Sequence, residues 1–150
     1  DLNSLGSWRR YRPARRCRTH FRPVPIRGAS RSIRDKANAE STISETSAVG
    51  CYPTGYSPYG CEDMSGNVWE WTRSLWGKDV MRPDFKYPYE PLDGKREGLN
   101  AGDDVWRVVR GGAWYDDRYF ARCAYRYWAR PDSRYGEFGF RVVLRFAPVS

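Results

Sequence analysis

Gly60-Cys61-Glu62-Asp63-Met64-Ser65-Gly66-Asn67-Val68-Trp69-Glu70-Trp71 is the stretch on which the fold turns. Gly60 and Gly66 mark turns, because glycine enters backbone conformations that a side chain forbids. From Asn67 to Thr72 the residues read as a short strand of alternating character. Upstream, Gly50, Pro53, Gly55, Pro58 and Gly60 read as successive turns, and the polar run Asp35 to Val49 as a surface loop. Downstream, residues 77–104 carry Pro83, Pro88, Pro91, Gly94, Gly98 and Gly102. They form a long loop of the kind that is functional or disordered. Val105 to Val109 reads as a second strand, with Val105, Arg107 and Val109 on one face and Trp106 and Val108 on the other. Gly111-Gly112 ends it. A bulge that lets Trp114 pack is favoured there over a close backbone approach to a ligand. Ala121, Ala124 and Tyr125 are spaced i, i+3, i+4, so Tyr119 to Tyr127 is a short helix or an irregular turn. Phe138 to Phe146 alternates as a last strand. Few regular elements and much aromatic-rich loop predict an α+β fold with a small antiparallel sheet.

Composition narrows the class. The chain has 150 residues, of which 16% are aromatic, including seven Trp and eleven Tyr, with fourteen Gly and ten Pro. That excludes a helical bundle or coiled coil, which needs long Ala/Leu/Glu/Lys runs. No stretch approaches the ~18 consecutive apolar residues of a membrane helix, and no apolar signal segment opens the chain. No membrane partner is expected, and the compartment is left unknown. The net charge of +8 is uneven. Residues 1–34 hold ten Arg, no Lys and one acid, a net of +9, against sixteen basic and seventeen acidic residues in 35–150, a net of −1. Residues 1–36 thus read as an Arg-rich arm. It is a disordered extension, a nucleic-acid contact acting by charge neutralisation, or the product of GC-rich DNA read out of frame. Nucleic acid is a partner only if the arm is genuine.

Cysteine and histidine usage is thin. Cys17, Cys51, Cys61 and Cys123 form no CxxC, and His20 is the single His. No zinc spacing is present, and catalysis through a Ser-His or Cys-His pair lacks a credible His. Cys51 and Cys61 could pair across their turn-rich segment, although small buried thiols are the commoner outcome.

Four stretches in fixed order carry a resemblance. Gly60 to Trp71 is the first. Arg107-Val108-Val109-Arg110-Gly111-Gly112-Ala113-Trp114 is the second. Arg122-Cys123-Ala124-Tyr125-Arg126 with Arg130-Pro131-Asp132 is the third, and Gly139-Phe140-Arg141-Val142-Val143 the fourth. Together they resemble the C-terminal half of the formylglycine-generating-enzyme, or sulfatase-modifying-factor, domain over about Ala37 to Leu144. The domain is thus expected over 37–146 and expected to be truncated. The resemblance implies a variant of the C-type-lectin-like fold, with short antiparallel strands and irregular loops.

The resemblance also implies chemistry. Active members of the family oxidise a peptide cysteine to formylglycine with oxygen and copper(I), which two thiolates hold because soft sulfur suits Cu(I). Those positions fall at or near Asp116 and Ala121, so copper and oxidase activity are not expected. Oxidation of a peptide cysteine stays as the alternative function. Related sulfoxide synthases use iron bound largely by His in a separate domain, which nothing here supplies. Calcium carries over better, through Asp63, the carbonyls of Gly66 and Val68, and Glu70, all oxygen donors of the type calcium takes. The competing reading makes Glu70 a buried carboxylate paired with an arginine. A second family calcium site would start near Asn38, but its other ligands do not align.

A binding module is the function the residues favour. Trp114, Tyr115, Asp116, Asp117, Arg118, Tyr119, Tyr127, Trp128, Arg134, Tyr135 and Glu137 form aromatic-rich loops suited to a protein or small-molecule ligand. Rigid Tyr and Trp give contact area at low entropic cost. The alternative is that several of these rings fill the core. The family also resembles variable proteins diversified by retroelements, whose variable positions cluster here. Arg110, Arg126 and Arg141 could hold an anion. Pairing with acids or stacking on rings is favoured, with Glu62, Asp116, Asp117, Asp132 and Glu137 as available partners.

Overall fold

The computed structural model describes residues 33–88, 90 and 94–144. The Arg-rich arm, apart from its last residues, and the end of the expected last strand lie outside them.

Trp69 and Trp71, two residues apart, with Thr72 beside them favour a pleated, half-buried strand, and β1 (Trp69–Gly77) forms where the Asn67 to Thr72 pattern predicts, running five residues further. β2 (Trp106–Arg110) follows the expected Val105 to Val109 strand. β3 (Tyr127–Ala129) and β4 (Phe138–Gly139) complete a four-stranded sheet in the order β3-β2-β1-β4. β1 and β3 both run antiparallel to β2, but β4 lies parallel to β1, with Trp69 opposite Phe138 and Glu70 opposite Gly139. The sheet is therefore mixed, not purely antiparallel.

Three further expectations change, and at Tyr119 to Tyr127 the irregular-turn alternative is the one that forms. The described residues contain 3₁₀ turns at Ile33–Asp35 and Gly94–Glu97 but no α-helix, so the helical share expected of an α+β fold is missing among them. Tyr119 to Tyr127 is turns up to Tyr125, because Asp117 closes two of them: its carbonyl accepts from the Phe120 and Ala121 amides at 3.1 and 3.3 Å. The last strand stops at Gly139 instead of continuing. Phe140, Val142, Val143 and Leu144 are each at least 74% exposed, because no described segment offers a ladder or an apolar face beyond that point. Cys51, Cys61 and Cys123 are free, with Cys51 and Cys123 exposed, so these thiols neither pair nor pack as buried hydrophobes.

β1 carries a bulge. Between Trp71 and Leu75 it advances four residues while β2 moves from Val109 to Arg107. Thr72 fills the gap: its hydroxyl donates to the Val108 carbonyl at 2.8 Å and accepts from the Ser74 amide at 3.2 Å. The Val108 carbonyl and the Ser74 amide thus keep partners across the bulge.

The core sits where β1 and β2 meet the chain after them. Trp69, Val109, Ala113 and Ala129 are buried, with Trp71, Phe120, Tyr125, Tyr127 and Phe138 packed around them. Trp69 stacks on Tyr127 with ring centroids 5.1 Å apart and tilts against Tyr125 at 6.0 Å. Such ring pairs add about 0.5–1.5 kcal/mol beyond the area they bury. The core is built from rings because this chain has few aliphatic side chains to build it from.

One residue ties the three motif loops together. Asn67 has φ = +68° and follows Gly66 at +75°; asparagine tolerates this left-handed region better than most residues. Its amide donates to the Asn38 carbonyl at 2.7 Å, and its carbonyl accepts from the Trp114 amide at 3.0 Å. Its side-chain oxygen accepts from the Ser47 amide at 2.8 Å and from Asn38 Nδ2 at 3.3 Å, while its Nδ2 donates to the Ser47 carbonyl at 3.1 Å. Gly66 donates to the Gly111 carbonyl at 2.7 Å, and a Cβ on it would lie 2.3 Å from the Asn38 carbonyl oxygen. Asn67→Ala takes the acceptor from the part-buried Ser47 amide, removes one acceptor of buried Asn38 and strains the backbone, so it is expected to cost about 2–4 kcal/mol in chemical denaturation. Asn67→Gly keeps the backbone and loses the side-chain bonds, so it should cost less. Gly66→Ala should cost more than either. Equal stability for all three would refute this role.

Candidate functional site

The loop after β2 is shaped by two left-handed glycines, Gly111 at φ = +99° and Gly112 at +75°. A Cβ on Gly112 would come within 3.1–3.2 Å of the Phe120–Ala121 backbone, so the pair packs chain against chain. It admits Ala113 to the core, whereas Trp114, the residue expected to pack, is half-buried beside Tyr115. Asp116 then folds back. One carboxylate oxygen accepts from the Ala113 amide at 2.8 Å, the Trp69 indole donates to the same carboxylate, and the Asp116 carbonyl accepts from the Glu40 amide at 2.8 Å. Burial raises the Asp116 pKa from its ordinary value, with Asp117 and Glu137 adding to the rise. The hydrogen bonds from Ala113 and Trp69 oppose it.

Tyr115 turns outward. Its hydroxyl donates to Glu137 at 3.3 Å, which connects this loop to the one before β4. Burial, helped by the Glu137 and Asp116 charges, pushes the phenol up to about 12. Tyr119 is exposed, with the Arg122 guanidinium 3.9 Å above its ring and Arg122 Nε donating to its carbonyl at 2.9 Å. Tyr135 is also exposed, its ring 5.8 Å from Phe138.

The eleven expected surface residues thus divide. Tyr115, Asp117, Arg118, Tyr119, Arg134 and Tyr135 are exposed, whereas Trp114, Asp116, Tyr127, Trp128 and Glu137 are half-buried. Tyr127 lies on Trp69, and Trp128 packs on Trp76 at 5.3 Å. β3 carries these two rings into the packed interior, so they serve the core as the competing reading holds. Of the three arginines, Arg126 lies over the Trp76 ring at 5.1 Å, and Arg110 donates to the carbonyls of Cys123 and Tyr125 at 2.9 and 3.4 Å.

Arg141 does more. It binds both carboxylate oxygens of Glu70, through Nε at 2.6 Å and through Nη2, and it donates to the carbonyls of Glu62 at 3.1 Å and Asp63 at 2.8 Å. Oxygens from the Gly60–Trp71 stretch therefore do converge on a cation, and that cation is a guanidinium. The Asp63 side chain instead accepts from the Gly50 amide at 2.8 Å, and the Gly66 carbonyl accepts from the Val68 amide at 2.9 Å. This arrangement does not fit a calcium ion at Asp63, Gly66, Val68 and Glu70, because Arg141 and the ion would compete for Glu70. Copper fits no better: Asp116 is bound by two donors, Ala121 is buried against Gly112, and Cys123 is a single exposed thiol. Among the described residues no group of three or more His, Cys, Asp or Glu could hold a metal, and no helix is long and apolar enough to cross a membrane.

The chain that builds this site is similar to known proteins over most of its length. Residues 13–146 match the sulfatase-modifying factor enzyme 1-like domain, and the chain belongs to that family. It is 36% identical over 109 residues to serine/threonine-protein kinase pkn1 of Chlamydia caviae, covering 73% of this chain and 16% of that protein. It is 36% identical over 114 residues to hercynine oxygenase of Mycolicibacterium smegmatis, covering 71% of this chain and 24% of that protein. Among solved structures it is similar to PvdO of Pseudomonas aeruginosa, with a TM-score of 0.52 and 27% identity over 79% of this chain and 42% of that one. The chain spans between about a sixth and a quarter of the length of these two sequence relatives.

Sequence reasoning missed the Asn38–Ser47–Asn67 cluster and the Tyr115–Glu137 bond. The Gly66-Asn67 pair, a dipeptide suited to left-handed backbone, was the available signal for the first. Partners 20 to 29 residues apart leave no local pattern.

Three outcomes follow from this geometry. Asp116 is harder to ionise folded than unfolded, so as pH rises the unfolded chain loses its proton first, and stability falls between the ordinary carboxylate value of 3.8 and the raised one. Denaturation across acid pH should show that fall in the parent and its absence in Asp116→Asn. Arg141→Gln should cost about 1–2 kcal/mol, at the low end for charge-assisted bonds because the pair meets water. Millimolar calcium should leave the parent's melting temperature unchanged. A calcium-dependent rise in the parent would mean that the ion displaces Arg141.

Proposed function

We propose that the chain is a ligand-binding or accessory module of its family, on a C-type-lectin-like scaffold, and not a copper-dependent oxidase. The observation that carries this reading is the pair of positions where the family resemblance puts the copper thiolates. Asp116 there is a structural carboxylate tied to Ala113 and Trp69, and Ala121 is a buried methyl with no donor atom. Two thiolates are the chemical requirement for Cu(I), and a lone exposed Cys123 does not meet it. Relatives named for a kinase and for an oxygenase both carry the matching stretch, which fits a scaffold reused with different chemistry beside it.

The binding surface is the set of exposed rings Tyr115, Tyr119 and Tyr135. Glu137 restrains Tyr115, Arg122 covers Tyr119, and Phe138 backs Tyr135. Rings held in place before binding lose little entropy on contact, which favours a protein or small-molecule ligand over a flexible encounter.

The test is copper(I) stoichiometry by competition with a chelator, together with mass spectrometry of a sulfatase-type cysteine peptide incubated with the protein and oxygen. The expected result is substoichiometric copper and unmodified cysteine. One copper per chain with formylglycine in the peptide would overturn the proposal.

A further inference from the structure

Away from the tyrosine loops, the sheet carries an open cleft of about 250 Å³ lined by Trp71, Thr72, Arg73, Leu99, Arg107 and Pro131. Trp71 and Arg73 come from β1 and Arg107 from β2, while Pro131 follows β3 and Leu99 follows the second 3₁₀ turn. The walls are largely apolar, the charged groups are cationic, and the neutral Thr72 hydroxyl is engaged with the Val108 carbonyl. Trp71 is half-buried, its ring fixed by Phe138 at 5.4 Å. Leu99 is 65% exposed, an aliphatic side chain left beside two arginines.

The charges are not cancelled within the protein. Arg107 donates to the Gly98 carbonyl at 2.8 Å and the Ala101 carbonyl at 2.9 Å, two neutral acceptors that fix its direction and leave its charge intact. Among the described residues the ion pairs are Arg34–Glu40, Lys78–Asp104, Arg96–Glu97 and Arg141–Glu70, so neither Arg107 nor Arg73 has a carboxylate partner. An apolar-walled cleft strengthens the field of such cations, because its walls exclude part of the solvent that would screen them.

We infer that this cleft binds a small planar carboxylate carried on an aromatic or aliphatic body. The carboxylate meets the guanidinium groups of Arg73 and Arg107, and the body lies against Trp71, Leu99 and Pro131. The guanidinium fork matches a carboxylate in plane, and a flat ring suits the face of Trp71. The volume lies just below the usual range for small-molecule sites, about 300–1,000 Å³, so the ligand is a single ring system and not a polymer segment. The site draws on β1, β2, the 98–101 turn and the chain after β3, and is independent of the copper question.

The full 150-residue chain is titrated with 2-naphthoate, and separately with 2-naphthamide, its neutral isostere, by calorimetry and by NMR. The expected result is one naphthoate per chain, with the amide weaker by about tenfold or more, and naphthoate affinity falling as salt is added. Arg107→Gln should weaken naphthoate by a similar factor. Because Arg107 also anchors the 98–101 turn, Arg73→Gln is the control for folding: it changes an exposed side chain with no internal bond, and should weaken naphthoate while leaving the melting temperature in place. Leu99→Glu, which puts a like charge beside the ligand, should abolish binding. Equal binding of acid and amide, no naphthoate binding up to about 10 mM, or naphthoate binding unchanged in Arg73→Gln and Arg107→Gln would each overturn the assignment.

Discussion

Every hydrogen-bonding group of Asn67 is spent on another loop. Its backbone joins Asn38 to Trp114, and its side chain holds Ser47 and the Asn38 amide. The segments it joins lie 20 to 47 residues away in the chain, and none is part of a regular element. In a fold with little ladder hydrogen bonding, loops must be held by explicit side-chain bonds, since buried backbone groups cannot be left unpaired. Asparagine suits the task because it both donates and accepts, and because it tolerates the left-handed conformation that Gly66 introduces. The Gly66 amide adds the bond to Gly111, so the turn before β1 and the turn after β2 are fixed to each other before any aromatic packing is counted.

The aromatic core depends on that frame. Trp69 follows Asn67 by two residues. Its indole reaches Asp116, its ring stacks on Tyr127, and its amide donates to Glu137 at 2.7 Å. One residue thereby touches β3, the chain leading into β4 and the loop after β2. The result is a surface whose exposed tyrosines stand on restrained supports, and a sheet face on which Trp71 is held in place by Phe138. Rigid presentation comes from ring packing and not from helices, consistent with a sheet-rich member of its family.

Charge is handled by geometry rather than by count. Arg141 gathers Glu70 and two carbonyls into one cluster, so the Glu70 charge is neutralised within the fold. Arg107 is held by carbonyls alone and keeps its charge. The two arginines sit in equally ordinary sequence, in Arg-Val pairs, and differ only in what the fold places opposite them. Family membership carries over the scaffold in the same partial way. The chain shares the domain family, while Asp116 and Ala121 serve here as a structural carboxylate and a buried methyl.

The pattern of residues was enough to place β1 and β2, to read Gly111-Gly112 as a packing turn, and to recognise the family from four ordered stretches. Those features are local: a strand period, a left-handed glycine and a fixed order of short segments all survive in one dimension. The tertiary structure alone decided the rest. β4 stops at Gly139, although Phe140 to Leu144 alternates like a strand, because alternation states a preference and only a neighbouring segment supplies the ladder. β3 formed where an aromatic-rich loop was expected, because Tyr127 and Trp128 gain more by packing on Trp69 and Trp76 than local spacing can express. Glu70 met Arg141 across 71 residues. No local rule links them, since which charges meet depends on where the whole chain brings its loops together.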